Sequence, residues 1–301
     1  MIKHEIIKGI ALSLGILMSF SSGVSAAPKP AHTELRIGVI STKPEKRLKD
    51  HAPIAQYLAS RLDRFGVKTG RVVVVKDIGA MQKLIRQDAV DLVLESALTT
   101  IEMEKVGMVP TLLAWRKGVR EYHTLFCVQA GSPIRSLGDL KGKSIAFEDP
   151  HSTSAYAIPM AELKKSGLRP APADEKRGPG GNAVTYSFAG EALNEAYWVV
   201  QGKTDAAAFN NNDWDDLPEK VRAELRVIHE TKPILRYVVS FHPHVSGDMK
   251  KALVDTLLGM DSTPEGLQAL ESASEIKKVE RLTDADLASL EYVRSLLLFL
   301  D

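Results

Sequence analysis

Four consecutive valines, Val72 to Val75, constrain the fold of this chain more than any other stretch. A strand apolar on both faces has no side to turn to water, so it belongs in a sheet covered above and below, the usual setting of parallel pairing. Its surroundings agree. Leu35 to Ile40 and Val90 to Leu94 read as two more buried strands, and helices are predicted over Pro53 to Leu62 and Ile78 to Ile85, where apolar residues recur at helical spacing. Strand, helix, strand, helix, strand requires crossover connections and therefore an α/β sheet. A helix from Leu98 to Val106 and a strand from Val109 to Trp115 extend this first block.

After a basic, polar stretch from Trp115 to Glu121, a second block of the same kind begins. Its strands are the run around Cys127, Ser144 to Phe147, Ala183 to Phe188 and Asp205 to Phe209. Its helices are Ser152 to Lys165 and Gly190 to Gln201, with a surface loop rich in Pro, Gly and charge from Ala171 to Gly181. Strands near Leu225 to His229 and Tyr237 to Phe241 follow, then helices over Met249 to Met260, Pro264 to Ser272 and Asp284 to Phe299. A chain of 301 residues has room for two domains. The expectation is two lobes, each a mostly parallel sheet flanked by helices. Lobe 1 takes residues 33–118 and 220–301 and lobe 2 takes 119–219, joined by hinge strands near 121–128 and 209–227. Open α/β sheets bind ligands beyond the carboxyl ends of their strands. Ser41-Thr42, Glu95-Ser96, Ser152 to Ser154 and Asn210 to Asp213 all follow strands, so they are expected to converge on one cleft.

The first 26 residues read as a cleavable secretory signal. Lys3 and Lys8 flank the start, Ile10 to Phe20 is apolar, and Val24-Ser25-Ala26 offers small residues before Ala27. The apolar run is too short to span a bilayer, and no cysteine stands at the cleavage point to carry a lipid. Export as a free periplasmic protein is the expectation. Cleavage removes two lysines and one glutamate from a chain with 39 basic and 38 acidic side chains, leaving it near neutral. That balance argues against a nucleic-acid partner. Cys127 is the only cysteine, so no internal disulfide forms, and its place inside an apolar strand suits a buried thiol.

Chemistry concentrates at Phe147-Glu148-Asp149-Pro150-His151-Ser152-Thr153-Ser154. A short strand breaks at Asp-Pro and presents three hydroxyls where a helix begins. The first turn of a helix carries unpaired N–H groups and the positive end of the macrodipole. Ser152, Thr153 and Ser154 add neutral donors able to surround a tetrahedral oxyanion, although Ser and Thr also cap helices with no ligand at all. Glu95 invites two roles as well. A carboxylate beside an anion pocket repels the anion unless it pairs with a cationic part of the ligand or is itself protonated; otherwise it points to solvent. His151 reads as a loop histidine and the three tryptophans as packing. His242-Pro243-His244 has no clear partner, so no metal is expected. No Gly-x-Ser-x-Gly, His-Glu-x-x-His or Cys-x-x-Cys motif is present, and no cofactor is called for.

With these residues assembled, the chain resembles the periplasmic substrate-binding proteins of phosphonate, phosphite and phosphate ABC transporters. The similarity runs from Leu35 to about Leu298. It includes Ile37-Gly38-Val39-Ile40-Ser41-Thr42, Pro53-Ile54-Ala55-Gln56-Tyr57-Leu58, Val90-Asp91-Leu92-Val93 and Leu137-Gly138-Asp139-Leu140-Lys141-Gly142-Lys143, and most specifically Asp149 to Ser154 with Pro159 and Gly167-Leu168. The resemblance implies a type II periplasmic-binding-protein fold that closes on its ligand, a binding protein and not an enzyme. It further implies Ser152, Thr153 and Ser154 as oxyanion donors, Thr42 on the opposite wall, Tyr122 beside the ligand's substituent and Asn210 in a loop closing the second lobe. Three positions depart from the pattern: Glu95-Ser96 replaces an aromatic followed by Gly or Pro, Gly190-Glu191-Ala192 replaces Gly-Ser-His, and Leu193 replaces an acidic pocket residue.

The function expected is capture of a small phosphorus oxyanion by a monomeric protein for a membrane permease. Two alternatives are a ligand-reporting partner of a membrane histidine kinase and a receptor for a sulfur or amine-bearing anion. An enzyme built on Cys127 is disfavoured by its place within a strand.

Overall fold

A computed structural model describes residues 33–173 and 183–300. The secretory segment expected over residues 1–26 and most of the loop expected over 171–181 lie outside the described residues. β1 (Glu34–Ile40) runs parallel to β2 (Thr69–Val75) in full register, Glu34 opposite Thr69 through Ile40 opposite Val75. Their crossover is α1 (Pro44–Ala59), which starts well ahead of the expected Pro53. Pro44 occupies its first turn, where a missing N–H costs nothing, and the charged residues that follow carry no apolar period to betray a helix. α1 packs so closely on β2 that a Cβ placed on Gly70 would lie 2.0 Å from the Ala55 carbonyl oxygen. α2 (Ile78–Arg86) is capped by Asp77, whose carboxylate accepts the Ala80 N–H at 2.8 Å. β3 (Leu92–Glu95), α3 (Ala97–Glu104) and β4 (Val109–Arg116) follow.

β5 (Glu121–Tyr122) carries the chain out of this sheet. The second lobe is built from β6 (Thr124–Gln129), β7 (Ser144–Phe147), α4 (Ile158–Lys165), β8 (Arg169–Pro172), β9 (Ala183–Phe188), α5 (Ala192–Val200), β10 (Ala206–Asn210), α6 (Asn211–Asp215), α7 (Glu219–Arg222) and β11 (Leu225–Glu230). β12 (Ile234–Leu235) returns the chain to β13 (Tyr237–Phe241), α8 (Gly247–Gly259), α9 (Pro264–Ser272), β14 (Ile276–Arg281) and α10 (Asp284–Leu297). The sheets are ordered β14-β4-β13-β3-β1-β2 and β11-β6-β10-β7-β9-β8. In the first, β13 and β14 run against the others, and in the second β6 does. The result is the expected two-lobed α/β fold of mixed sheets flanked by helices.

Four features differ from the sequence-based expectation. β11 pairs antiparallel with β6, so residues assigned from sequence to lobe 1 belong to the second sheet. The return crossing accordingly lies at β12, where Ile234 pairs with Tyr122 and Leu235 with Glu121 of β5, and not within 209–227. An apolar run announces a strand but not its partner, so the sequence leaves sheet membership open. β14 has no counterpart among the expected strands, because its charged residues Lys277, Lys278, Glu280 and Arg281 mask the apolar positions Ile276 and Val279. Finally, β8 takes Ala171 and Pro172 from the expected loop.

Each sheet is covered on both faces by buried apolar side chains, Leu35, Ile37, Ile54 and Leu58 against Met81, Ile85 and Val93 in the first lobe, and Phe126, Ile145, Phe147 and Leu163 against Leu125, Ala146 and Ala196 in the second. A separate cluster joins the lobes. Tyr122, Ile234 and Leu235 of the hinge pack with Ile101 of α3, Ile158 of α4 and Leu290, Val293 and Leu296 of α10. Tyr292 of α10 donates to Glu162 at 2.9 Å, and Arg294 of α10 pairs with Glu104 at 2.6 Å, so one terminal helix touches both lobes. No helix among the described residues is long and apolar enough to cross a membrane.

Candidate functional site

Strand ends of both sheets and the hinge surround a cavity of about 410 Å³. On the second-lobe side, β7 ends at Phe147 and the chain turns at Asp149-Pro150. The Asp149 carboxylate accepts the His151 N–H at 2.8 Å, and its carbonyl accepts the Ser152 N–H at 3.0 Å. The Ser152 hydroxyl oxygen then caps the next turn by accepting the Ala155 N–H at 3.2 Å. That turn is wider than an α-helix. The Ala157 N–H reaches back five residues to the Ser152 carbonyl at 3.0 Å, and the regular α4 begins only at Ile158. The single helix expected over 152–165 is therefore a π-turn followed by an α-helix, a distortion frequent at binding sites.

Ser152, Thr153 and Ser154 all line the cavity. Thr153 is 8% exposed and Ser154 3%. The Thr153 hydroxyl is 2.8 Å from that of Ser96, the residue after β3, so the tip of one lobe touches the other. Ser154 is held through its carbonyl, which accepts from the Thr124 hydroxyl at 2.5 Å. Its own hydroxyl faces Tyr122, whose phenol is pushed up by burial and stays protonated.

Of the other expected site residues, Glu95, Tyr122 and Asn210 line the same cavity. The Glu95 carboxyl is buried, accepts the Ile40 N–H at 3.1 Å, and is pushed up to about 7 by burial, opposed by that hydrogen bond and the nearby Arg47. Asn210 is committed locally: its side-chain carbonyl caps α6 by accepting the Asp213 N–H at 3.0 Å, and its amide donates to the Asp213 carboxylate. Thr42 is exposed and does not line the cavity, whereas Ile40 does, because α1 begins at Pro44 and leaves only Ser41, Thr42 and Lys43 between strand and helix. His151 is exposed at the rim.

Cations are the main feature that sequence reasoning missed. Arg116, at the end of β4, and Arg236, between β12 and β13, both line the cavity, and the Nε of each is buried without a hydrogen-bond partner. Arg236 is 5% exposed and lies over the Tyr122 ring at 4.2 Å; Arg116 lies 5.3 Å from the Tyr237 ring centroid. Neither has a carboxylate partner among the described residues. Lys117 differs, reaching across to Asp216 at 3.3 Å and Asp213 at 3.8 Å. Cations thus share the cavity wall with the neutral hydroxyls read from the sequence. These cations come from the β4 end and the hinge, distant in sequence from the hydroxyl triplet and from each other.

A neighbouring cavity of about 390 Å³ is lined by Glu148, Glu191, Leu193, Asp213 and Asp216. Beneath it, Glu195 on α5 is fully buried with both carboxyl oxygens unpartnered among the described residues, and burial pushes it well up, reinforced by Glu148 and Asp213. Cys127 is buried mid-strand and burial pushes its thiol well up, so it offers no nucleophile to the cavity. His242 and His244 stack at 4.0 Å beside Asp88 and Asp91. Both nitrogens of His242 lie against backbone groups, 3.1 Å from the Ile85 carbonyl and 3.1 Å from the His244 N–H. The group joins Arg36, Asp91 and the turn after β13 in one polar network and does not line the cavity.

The profile of phosphonate ABC-transporter periplasmic substrate-binding proteins matches residues 37–287. The chain belongs to this family. It is therefore an extracytoplasmic solute-binding protein of the periplasm, serving an ABC transporter for a phosphorus oxyanion and acting by lobe closure, not by catalysis. Solved structures agree on the fold. The Xanthomonas citri protein XAC2383, with chloride or with ATP bound, is 28% identical over 88% of this chain and 97% of its own, with TM-scores of 0.81 and 0.80. PhnD1 from Prochlorococcus marinus, in complex with methylphosphonate, is 18% identical over 88% of this chain and 97% of its own, with a TM-score of 0.61.

Proposed function

We propose that the phosphoryl group of the ligand lies between the guanidinium groups of Arg116 and Arg236 and the tip formed by Ser152, Thr153 and Ser154, with Tyr122 and Glu95 completing the wall. The observation that carries this is two cations with unpartnered Nε groups lining one cavity with three hydroxyls. A buried guanidinium without a carboxylate is costly until an anion arrives, and Arg presents parallel donors matched to phosphoryl oxygens. The oxygens left over meet alcohol donors, which hold an anion without adding charge that would hinder its release. The ATP and chloride found with XAC2383 are both anions, which supports the same electrostatic logic. The closed form then presents a surface to which a cognate membrane permease docks.

Titration calorimetry of the mature chain with methylphosphonate, phosphite, phosphate and sulfate tests this. The phosphorus anions are expected to bind, and Ser152→Ala combined with Thr153→Ala is expected to weaken them by about 100-fold, roughly the sum of two charge-assisted hydrogen bonds. An unchanged affinity in the double variant places the ligand elsewhere.

A further inference from the structure

We propose that Glu95 selects among tetrahedral anions by requiring one proton between its carboxyl and the ligand, so that the cavity favours phosphorus oxyanions, which can supply that proton, over sulfonates, which cannot. The inference rests on the assignment of this cavity to a phosphorus oxyanion.

Glu95 ends β3 and is 9% exposed on the cavity wall. One carboxyl oxygen is fixed by the Ile40 N–H at 3.1 Å. The next residue, Ser96, meets Thr153 at 2.8 Å, so Glu95 stands beside the hydroxyl tip. The charged groups around it are Arg47 from α1, Arg116 and Lys117 from the β4 end and Arg236 from the hinge, with Glu148, His151 and Asp213 across the cleft. Lys117 is taken by Asp213 and Asp216, and no cation makes an ion pair with Glu95 among the described residues. An ionised Glu95 would therefore face the ligand's oxygens directly, which is repulsive in a buried setting. One proton turns that repulsion into a hydrogen bond between two oxygens. It can come from either partner. A phosphonate monoanion meets the carboxylate, or a dianion meets the protonated acid, and both routes give a complex of the same composition. A sulfonate has no proton near neutrality, so only a protonated Glu95 accepts it.

The two ligand classes must then differ in pH dependence. Glu95 titrates at about 7 in the empty site, so roughly nine-tenths of it is protonated at pH 6 and about 3% at pH 8.5. Methanesulfonate is expected to bind about 30-fold more weakly at pH 8.5 than at pH 6. Methylphosphonate should vary by only about fivefold, with its maximum near pH 7, because ligand and carboxyl exchange the role of donor. Glu95→Gln, a fixed neutral side chain, should make methanesulfonate affinity independent of pH. Calorimetry of the mature wild-type chain with both ligands at pH 6, 7 and 8.5 is sufficient even if the variant folds poorly. Parallel pH profiles for the two ligands, or methanesulfonate binding at none of these pH values, overturn the role of Glu95 and leave the site assignment intact. Failure of the wild-type chain to bind methylphosphonate, phosphite or phosphate at any of them overturns the site assignment itself.

Discussion

At the scale of single residues, the cavity combines groups whose separate costs make sense only together. Arg236 is buried against Tyr122 with its Nε unpartnered, so its charge is stabilised by a ring face and by whatever anion enters. Arg236→Met is expected to lower phosphonate affinity by about 100-fold or more, in line with roughly 3 kcal/mol for truncating a buried charge contact. Arg236→Lys should not restore it, since an ammonium lacks the paired donors; calorimetry reads both. Glu195 makes the opposite case, a buried acid with no hydrogen-bond partner among the described residues. Its folded-state pKa is raised, so the folded chain keeps a proton that the unfolded chain releases above about 4.3. The folded state binds more protons there, and stability falls as pH rises from that point. Glu195→Gln removes the penalty, and its gain in melting temperature should grow from pH 5 to pH 8. A gain independent of pH would place the effect in packing instead. The hydroxyl triplet was legible because three adjacent residues share one turn. Arg116 and Arg236 were not, because isolated arginines at strand ends look like any solvated surface charge until the fold brings them to one wall.

Among the elements, legibility followed the apolar pattern. β2 and β7 could be read from continuous apolar runs, β9 from the alternation of Val184, Tyr186 and Phe188 with Thr185 and Ser187, and α2 because an Asp77 cap precedes a clear helical period. α1 was half hidden, its first turns being charged, and β14 was masked by edge-strand charges of the kind that discourage aberrant pairing. The contact between α1 and β2 sets the geometry of the whole first crossover. Gly70 permits it, since an added Cβ would meet the Ala55 carbonyl carbon at 2.3 Å as well as its oxygen. These are backbone atoms in a helix and cannot swing aside. Gly70→Ala is expected to destabilise the protein by about 2 kcal/mol, within the usual range for overpacking, seen as a lower denaturant midpoint. Ligand affinity of the folded fraction should be unchanged, because Gly70 lies at the far end of β2 from the cavity. An unaltered midpoint would mean that α1 shifts freely on the sheet.

For the whole molecule, function is a balance between open and closed lobes, and a ligand shifts it only by its differential affinity for the two. The hinge is narrow: one antiparallel pair of two-residue strands, β5 and β12, with α10 packed alongside. At the mouth of the cleft the ties among the described residues are polar, Ser96 to Thr153 and Lys117 to Asp213 and Asp216, while the apolar cluster that joins Ile101 of α3 to Ile158 of α4 lies against the hinge and α10. Polar ties at the mouth suit a receptor that must reopen, since water replaces their partners when the lobes part. Lys117 is 31% exposed and Asp216 71%, so solvent and salt screen their pair and its worth is about 1 kcal/mol at most. That still amounts to about a fivefold change in the closed population. Lys117→Met is therefore expected to weaken ligand binding by up to about fivefold at low ionic strength, with the difference vanishing at about 1 M salt, where the Debye length falls to about 3 Å. Small-angle scattering should show a larger radius of gyration for the ligand-free variant than for the wild type, and identical values once both are saturated. A variant that binds more weakly by the same factor at every salt concentration would instead assign Lys117 to direct ligand contact, leaving lobe closure to the hinge and α10.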